Sequence, residues 1–522
     1  MAEVKGADFL NIIDHRSVAN EITERLSQEL VIALVGPVGS GVSTAANDIE
    51  DILIQRFGYK VSPIIKPSDI IRSEMHRVGL APISKDPIGA YIDRMQTAGN
   101  KLREKFGPNY LAEKAVERIV SYRTQEGGYS SDHVPLPGRR AYIIDSVKNL
   151  EELDLLRRIY GETLCLFGVF APDSIRKQRL LDNGARESDV QRILDRDQGE
   201  VATFGQMTRK VFVEADFFIC NDQRPEELRR HIVRFLEIIF DVSIHTPTQA
   251  ESAMYKADAA ASNSACMSRQ VGAAIVSASG ELIAVGWNDV PKFGGQLYSE
   301  NDQTVWDEAN RRMEDLDKRC FKWEGGICHN EIRRGKIIND IAQRVYGSGL
   351  LKRGKTRQQI REILNGTDVD SLTEYSRAIH AEMEAILSVA REGRRSLIGS
   401  TLYTTTYPCH NCARHIVAAG IREVIYIQPY LKSLAIVLHK DAITESRDDR
   451  SRVRFRQFDG VAPRNFLRLF QPKADRKREG TFLRVNPAAA LPVFRIPLDG
   501  PVEYESKIIA DLSTKEQDRL TP

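Results

Sequence analysis

The stretch Leu30-Val31-Ile32-Ala33-Leu34-Val35 is apolar without interruption and breaks directly into Gly36-Pro37-Val38-Gly39-Ser40-Gly41-Val42-Ser43-Thr44. A run that short, closed by a glycine turn, reads as a strand covered on both faces and not as a buried helix. The later apolar segments 141–145, 163–169 and 216–219 are each followed by polar, helix-patterned sequence. That alternation is the pattern of a parallel, doubly wound α/β sheet. The helical pattern from Pro225 to Phe240 is expected to close this sheet, and His245-Thr246-Pro247-Thr248-Gln249 reads as a junction.

A chain of 522 residues exceeds one ordinary core, so at least two domains are expected. The second begins with a helix near Glu251 and a hairpin, 272–276 and 282–286, turning at Ser279-Gly280. A long polar insertion, helical in part, fills the interval from Asn288 to His380, and after Pro472 the pattern weakens into a polar tail. The expected boundaries are 1–245, 250–472 and a C-terminal extension at 473–522. There is no run of eighteen apolar residues and no apolar signal core at the N-terminus, so a cytoplasmic protein with no membrane partner is expected. Seven cysteines without a disulfide spacing fit a reducing compartment. A formal charge of +2 gives no global argument for nucleic-acid binding.

The glycine loop follows a strand and opens a helix, the context in which backbone amides converge on a phosphate. Gly36, Gly39, Ser40, Gly41, Ser43 and Thr44 are therefore candidate nucleotide-binding residues. Ser43 is positioned to reach Mg2+, with Asp145 at the end of an apolar strand as supporting carboxylate. The usual loop carries a lysine where this chain has Val42, and Lys66 or Lys148 are the candidates to replace it. Residues 30–240 resemble small-molecule and nucleotide kinases of the P-loop class, through Ile144-Asp145-Ser146-Val147-Lys148-Asn149, Ala171-Pro172-Asp173 and Ala215-Asp216-Phe217-Phe218. The resemblance implies a P-loop kinase-like domain with Arg186, Arg192 and Arg196 at lid positions. The missing lysine favours a regulatory or assembly role over phosphoryl transfer.

His380-Ala381-Glu382 and Pro408-Cys409-His410-Asn411-Cys412 resemble together the H-x-E … P-C-x-x-C signature of zinc nucleoside and nucleobase deaminases. On that resemblance His380, Cys409 and Cys412 bind Zn2+ and Glu382 is the proton carrier. Three protein ligands leave the fourth tetrahedral position to water, whereas a closed structural site would need another ligand, for which His410 is the candidate. Glu384 lies close behind Glu382, but the spacing selects Glu382.

Over residues 252–440 the chain also resembles deoxycytidylate deaminases, through Gln270-Val271-Gly272-Ala273, Gly286-Trp287-Asn288-Asp289-Val290-Pro291 and the two zinc motifs in that order. The fused arrangement looks closer still to the bacterial anti-phage deoxycytidylate deaminases, which join a P-loop domain to a cytidine-deaminase-like α/β/α domain. The resemblance implies dCTP and dCMP as substrates, a sugar contact from Asn288, a homo-oligomer and control by a nucleotide effector. Lys432, within Pro429-Tyr430-Leu431-Lys432-Ser433-Leu434, is the candidate triphosphate contact. It also implies a second, structural Zn2+ drawn from Cys266, Cys320, Cys328 and His329; buried free thiols are the competing reading, favoured by the irregular spacing.

Between Arg447 and Arg478, arginines alternate with Phe455, Phe458, Phe466 and Phe470. Stacking platforms for RNA or single-stranded DNA would look like this, and so would a strand with aromatics inward and arginines outward. The second reading is preferred. The rivals to a free-nucleotide enzyme are therefore a polynucleotide deaminase, with regulatory RNA as a partner, and a nucleotide-sensing module.

Overall fold

The computed structural model of the chain describes residues 22–518 apart from 83, 199–206, 350, 353, 366, 368, 370, 371, 373, 431, 432 and 474. It divides into two compact units, one drawn from residues before Pro247 and after Phe458, the other Pro247–Phe458.

The first unit is a P-loop kinase-like α/β sheet. Its strands are β1 (Leu30–Val35), β2 (Lys60–Val61), β3 (Arg140–Ile144), β4 (Leu164–Phe170) and β5 (Phe217–Cys220), ordered β5-β4-β1-β3-β2 and all parallel. Every residue of β1 is buried, as its unbroken apolar run requires. Helix α1 (Val42–Gln55) then lays Val42, Ala45, Ala46, Ile49, Ile52 and Leu53 on the sheet at helical spacing. Helices α2 (Glu187–Gln198) and α3 (Pro225–Ile239) follow, and Phe167, Phe217 and Phe235 pack ring to ring in the core.

The expected boundary at 472 and the separate extension at 473–522 are corrected by this unit, and α3 does not close it. The chain returns at Asp459. Gly460–Val461 adds a sixth, antiparallel strand beside β5, pairing with Phe218 and Phe217, and Val461 is 1% exposed. Further on, the helix Asp499–Asp518 packs against Tyr110–Gln125. The physical reason is charge. Arg123 is completely buried and gives its guanidinium to Glu29 at 2.8 Å and to Glu505 at 3.0 Å, so a carboxylate from the end of the chain neutralises a cation in the core.

The second unit is a mixed sheet of β6 (Gly272–Val276), β7 (Leu282–Trp287), β8 (Thr401–Thr406), β9 (Glu423–Gln428), β10 (Ile443–Thr444) and β11 (Val453–Gln457), ordered β10-β11-β9-β8-β6-β7. β6 runs antiparallel to both neighbours, while β8, β9, β11 and β10 are mutually parallel along the sheet. Helices α4 (Gln249–Ala261), α5 (Ala381–Glu392) and α6 (His410–Ala418) belong to it. Thr248, expected in a junction, caps α4 in a reciprocal box with Glu251. The polar insertion holds helices His329–Gly347 and Arg357–Leu364 and also a hairpin, Thr304–Asp307 with Arg312–Asp315, that its composition did not announce.

Phe455 and Phe458 are 1% and 0% exposed, while Arg454 and Arg456 hold Glu423. These two rings are interior side chains of the second unit and offer no stacking platform. No helix among the described residues is long and apolar enough to cross a membrane.

Candidate metal centre and phosphate loop

Two helix starts build the metal centre. His380 is the N-cap of α5, with Glu382 in its first turn, and Cys409 is the N-cap of α6, with Cys412 in its first turn. Helix N-termini carry partial positive charge, which favours thiolates. Both Sγ atoms lie 3.3 Å from His380 Nδ1. The three donor atoms lie within 4.8 Å of one another, and no other such group occurs among the described residues. Tetrahedral zinc with Zn–N near 2.0 Å and Zn–S near 2.3 Å spaces its ligands by about 3.5–3.8 Å. The donor set fits Zn2+ in chemistry and in spacing. His410, the candidate closing ligand, is not part of the group.

The three side chains lie close enough to act on one another's protons. The hydrogen bond from Cys412, together with His380, pulls the Cys409 thiol down to about 4 against the opposing effect of burial. The hydrogen bond to Cys409 lifts His380 to about 9. Glu382 is 4% exposed, and burial raises its carboxyl above the ordinary range. Its Oε2 lies 3.4 Å from Cys412 Sγ. Glu384 instead takes Arg391 at 2.5 Å along α5, which leaves Glu382 as the carboxyl at the centre.

His380, Glu382 and Cys409 line a cavity of about 310 Å³ together with Asn288 and Tyr430. Asn288 is committed to the loop before β6, with Oδ1 accepting from Val271 N and Nδ2 donating to Arg269 O, both at 2.7 Å. It shapes the cavity wall and keeps one lone pair and one N–H for a ligand. Lys432 lies outside the described residues. Cys266, Cys320, Cys328 and His329 line the same cavity, but no three of their donor atoms come within 4.8 Å of one another. Burial pushes the Cys320 thiol up. Cys266 and Cys328 lie near enough to raise Cys320 further, so these residues share one part of the cavity without the close approach of His380, Cys409 and Cys412. Two cavity cations escaped sequence reasoning, Arg269 over the Tyr430 ring and Arg377 over Trp323, because neither belongs to a motif.

In the first unit, the glycine loop bounds a separate cavity of about 500 Å³ lined by Gly36, Gly39, Gly41, Ser43, Thr44 and Lys148, among others. Gly39 and Gly41 adopt φ of +83° and +87°, and a Cβ on Gly41 would sit 2.1 Å from Asn221 Nδ2. Only glycine closes this turn. Ser43 Oγ donates to Asp145 Oδ2 at 2.6 Å, the arrangement in which a hydroxyl and a carboxylate can share Mg2+. Ser40 is buried, and its hydroxyl has no partner among the described residues. Two of the three expected lid arginines are engaged elsewhere: Arg192 pairs with Asp93 and Asp189, and Arg196 with Asp93 and Thr97. The arginine on the cavity is Arg179, which no motif marked.

Residues 247–428 match the cytidine and deoxycytidylate deaminase zinc-binding region. The chain thus contains a cytidine/deoxycytidylate deaminase domain. The deoxycytidylate deaminase of Enterobacteria phage T4 is 46% identical over 55 residues, 10% of this chain and 28% of that protein. The matched stretch thus spans less than a third of the phage enzyme. A UPF0200 protein of Saccharolobus solfataricus is 26% identical over 203 residues, 38% of this chain and 88% of that protein. Among solved structures, the dCMP deaminase of cyanophage S-TIM5 with dCMP and dUMP is 18% identical, covering 41% of this chain and all of that one, with a TM-score of 0.22. Shikimate kinase from Acinetobacter baumannii is 13% identical, covering 43% and 99%, with a TM-score of 0.25.

Proposed function

We propose that this protein is a zinc-dependent hydrolytic deaminase of free deoxycytidine nucleotides, taking dCTP and dCMP to dUTP and dUMP. The observation that carries the reading is the meeting of His380, Cys409 and Cys412 beside a buried Glu382, with His380, Glu382 and Cys409 lining one cavity. His380, Cys409 and Cys412 would hold the zinc ion, which would supply activation of water at neutral pH. Glu382 takes a proton from the attacking water and passes it to N3 of the pyrimidine, then takes the proton of the hydroxyl formed at C4 and passes it to the departing amino group. The C4–N bond breaks, C4 becomes a carbonyl, and ammonia leaves. Burial suits Glu382 to this shuttle, because it raises the carboxyl above the ordinary range and so makes its proton acceptance more favourable.

The cavity is at the small end of ligand pockets, which fits a single nucleotide. Arg269 and Arg377 are the cations available to 5′-phosphates, and Asn288 faces the sugar. The first unit is a nucleotide-binding regulator: its loop has the glycines, Ser43 and Asp145, while Val42 withholds the ammonium that phosphoryl transfer requires. In a cell the activity drains dCTP, which serves defence against phage.

Purified protein is offered dCMP, dCTP, CMP, single-stranded DNA and an RNA hairpin, and ammonia release is followed. Deoxycytidine nucleotides are the expected substrates. Faster turnover of either polynucleotide overturns the reading. Regulation is tested by Ser43→Ala, which changes deaminase rate or its nucleotide response while zinc content stays at one per chain.

A further inference from the structure

The phosphate loop is short of a cation at Val42, yet a cation stands at its cavity. Lys148, just beyond β3, lines the same cavity as Gly41 and Ser43. Its ammonium pairs with Asp197 Oδ1, and Asp197, on α2, is completely buried. The other carboxylate oxygen, Oδ2, accepts the backbone N–H of Val38 at 2.7 Å. One carboxylate therefore ties the lysine to the backbone of the loop itself. This uses one of the three ammonium hydrogens and leaves two for a ligand.

The charge on the cavity wall points the same way. Its charged lining side chains are Lys148 and Arg179, and no acidic side chain is among the lining residues. Arg179 gives three of its five N–H groups to the carbonyls of Gly39, Ser40 and Asn221. Between Asp145 and Lys148, Ser146 holds φ at +79°, a conformation that strains a residue with a Cβ. Ser146 lines the cavity as well, so the strained turn sits between the carboxylate beneath Ser43 and the lysine. The other sequence candidate, Lys66, caps the helix Pro67–Glu74 and does not line the cavity.

We propose that Lys148 is the phosphate-binding cation of this loop, replacing from the connection after β3 the ammonium ordinarily carried at the Val42 position, with Asp197 as its positioning residue. The ligand class is a nucleoside di- or triphosphate. The proposal rests on the reading of the first unit as nucleotide-binding.

The test uses the full chain and MgATP as probe, with affinity from equilibrium dialysis and folding from thermal melts. Lys148→Ala weakens binding tenfold or more and flattens its dependence on salt, while Lys177→Ala, an exposed control, leaves it unchanged. Val42→Lys placed in the Lys148→Ala background restores affinity to within threefold of wild type. If Lys148→Ala does not fold because Asp197 is left unpaired, Lys148→Gln with Asp197→Asn takes its place under the same criteria. Wild-type binding that survives loss of Lys148, or a loss that Val42→Lys does not repair, overturns the assignment and leaves the nucleotide-binding reading standing. No MgATP binding by the wild type, or binding undiminished by Gly41→Asp, overturns that reading and the assignment with it.

Discussion

The backbone of Gly286 on β7 lies so close to α5 that a Cβ there would stand 2.4 Å from the carbonyl oxygen of Ala381 and 2.5 Å from Ala385 N. Ala381 separates His380 from Glu382, so this contact seats the helix start that holds both. The neighbours are backbone atoms and cannot rotate away. Gly286→Ala is expected to push α5 outward, cost about 1–3 kcal/mol of stability, and weaken zinc retention along with deamination. Thermal melts and metal analysis on the same preparation check this. Wild-type zinc content and melting temperature would show that α5 tolerates the shift.

Glu382 and the cysteines should separate by function. Glu382→Gln removes the proton carrier and is expected to lower deamination by at least 10²-fold with zinc still present at one per chain. Cys409→Ala and Cys412→Ala are expected to lose metal and activity together. Atomic emission spectroscopy beside a turnover assay distinguishes the cases; metal-free Glu382→Gln protein would assign Glu382 a ligand role.

Asp317 gives the second unit a pH signature. It is 2% exposed and receives Arg319 at 2.7 Å and Lys322 at 3.2 Å. Burial alone would raise its carboxyl, but hydrogen bonds from Arg319 and Lys322 outweigh it and hold the group at about 2, below the ordinary 3.8. A carboxyl lowered by folding adds stability that is complete above its unfolded pKa and disappears as pH falls through the folded value. The pH-dependent share, about 2 kcal/mol, should be constant above pH 5, shrink below pH 4 and vanish near pH 2. Denaturant melts of wild type and Asp317→Asn across this range test it. Parallel pH profiles for the two proteins would remove Asp317 from the account.

Glu505 should matter to residues almost four hundred positions earlier. Glu505→Ala leaves Glu29, which also holds Arg140, as the one carboxylate on the Arg123 guanidinium among the described residues, and breaking a buried pair of this kind costs about 3–5 kcal/mol. Arg123→Met with Glu505→Leu, which removes both charges, is expected to recover much of the loss. Urea titrations of the single and double variants measure the coupling. A single variant as stable as wild type would mean that water or another group already serves the cation.

What was readable in advance was local. Leu30–Val35 and the glycines after it announce strand, turn and helix within a few residues, because apolar runs and positive φ act at short range. The spacings His380-to-Glu382 and Cys409-to-Cys412 likewise name side chains that two helix starts bring together. Pairings across long sequence distances were not readable. Gly460–Val461 is too short for any periodicity, and only β5 makes it a strand. Asn288 was noticed as a ligand contact, but its bonds to residues 269–271 depend on how the loop returns. Lys148 and Asp197 are ordinary surface residue types until the fold buries one against the other.

Residues before Pro247 and after Phe458 complete one unit, while everything between them builds the other. A ribosome therefore finishes the deaminase-like unit while its neighbour still lacks an edge strand and the acid that neutralises Arg123. During that interval the unfinished sheet exposes the β5 edge, the kind of unpaired strand that invites association with other chains. Synthesis order makes the early half of the gene the last part to become stable. A fragment ending near 245 would remain in that unfinished state, so the first unit has to be studied within the whole chain.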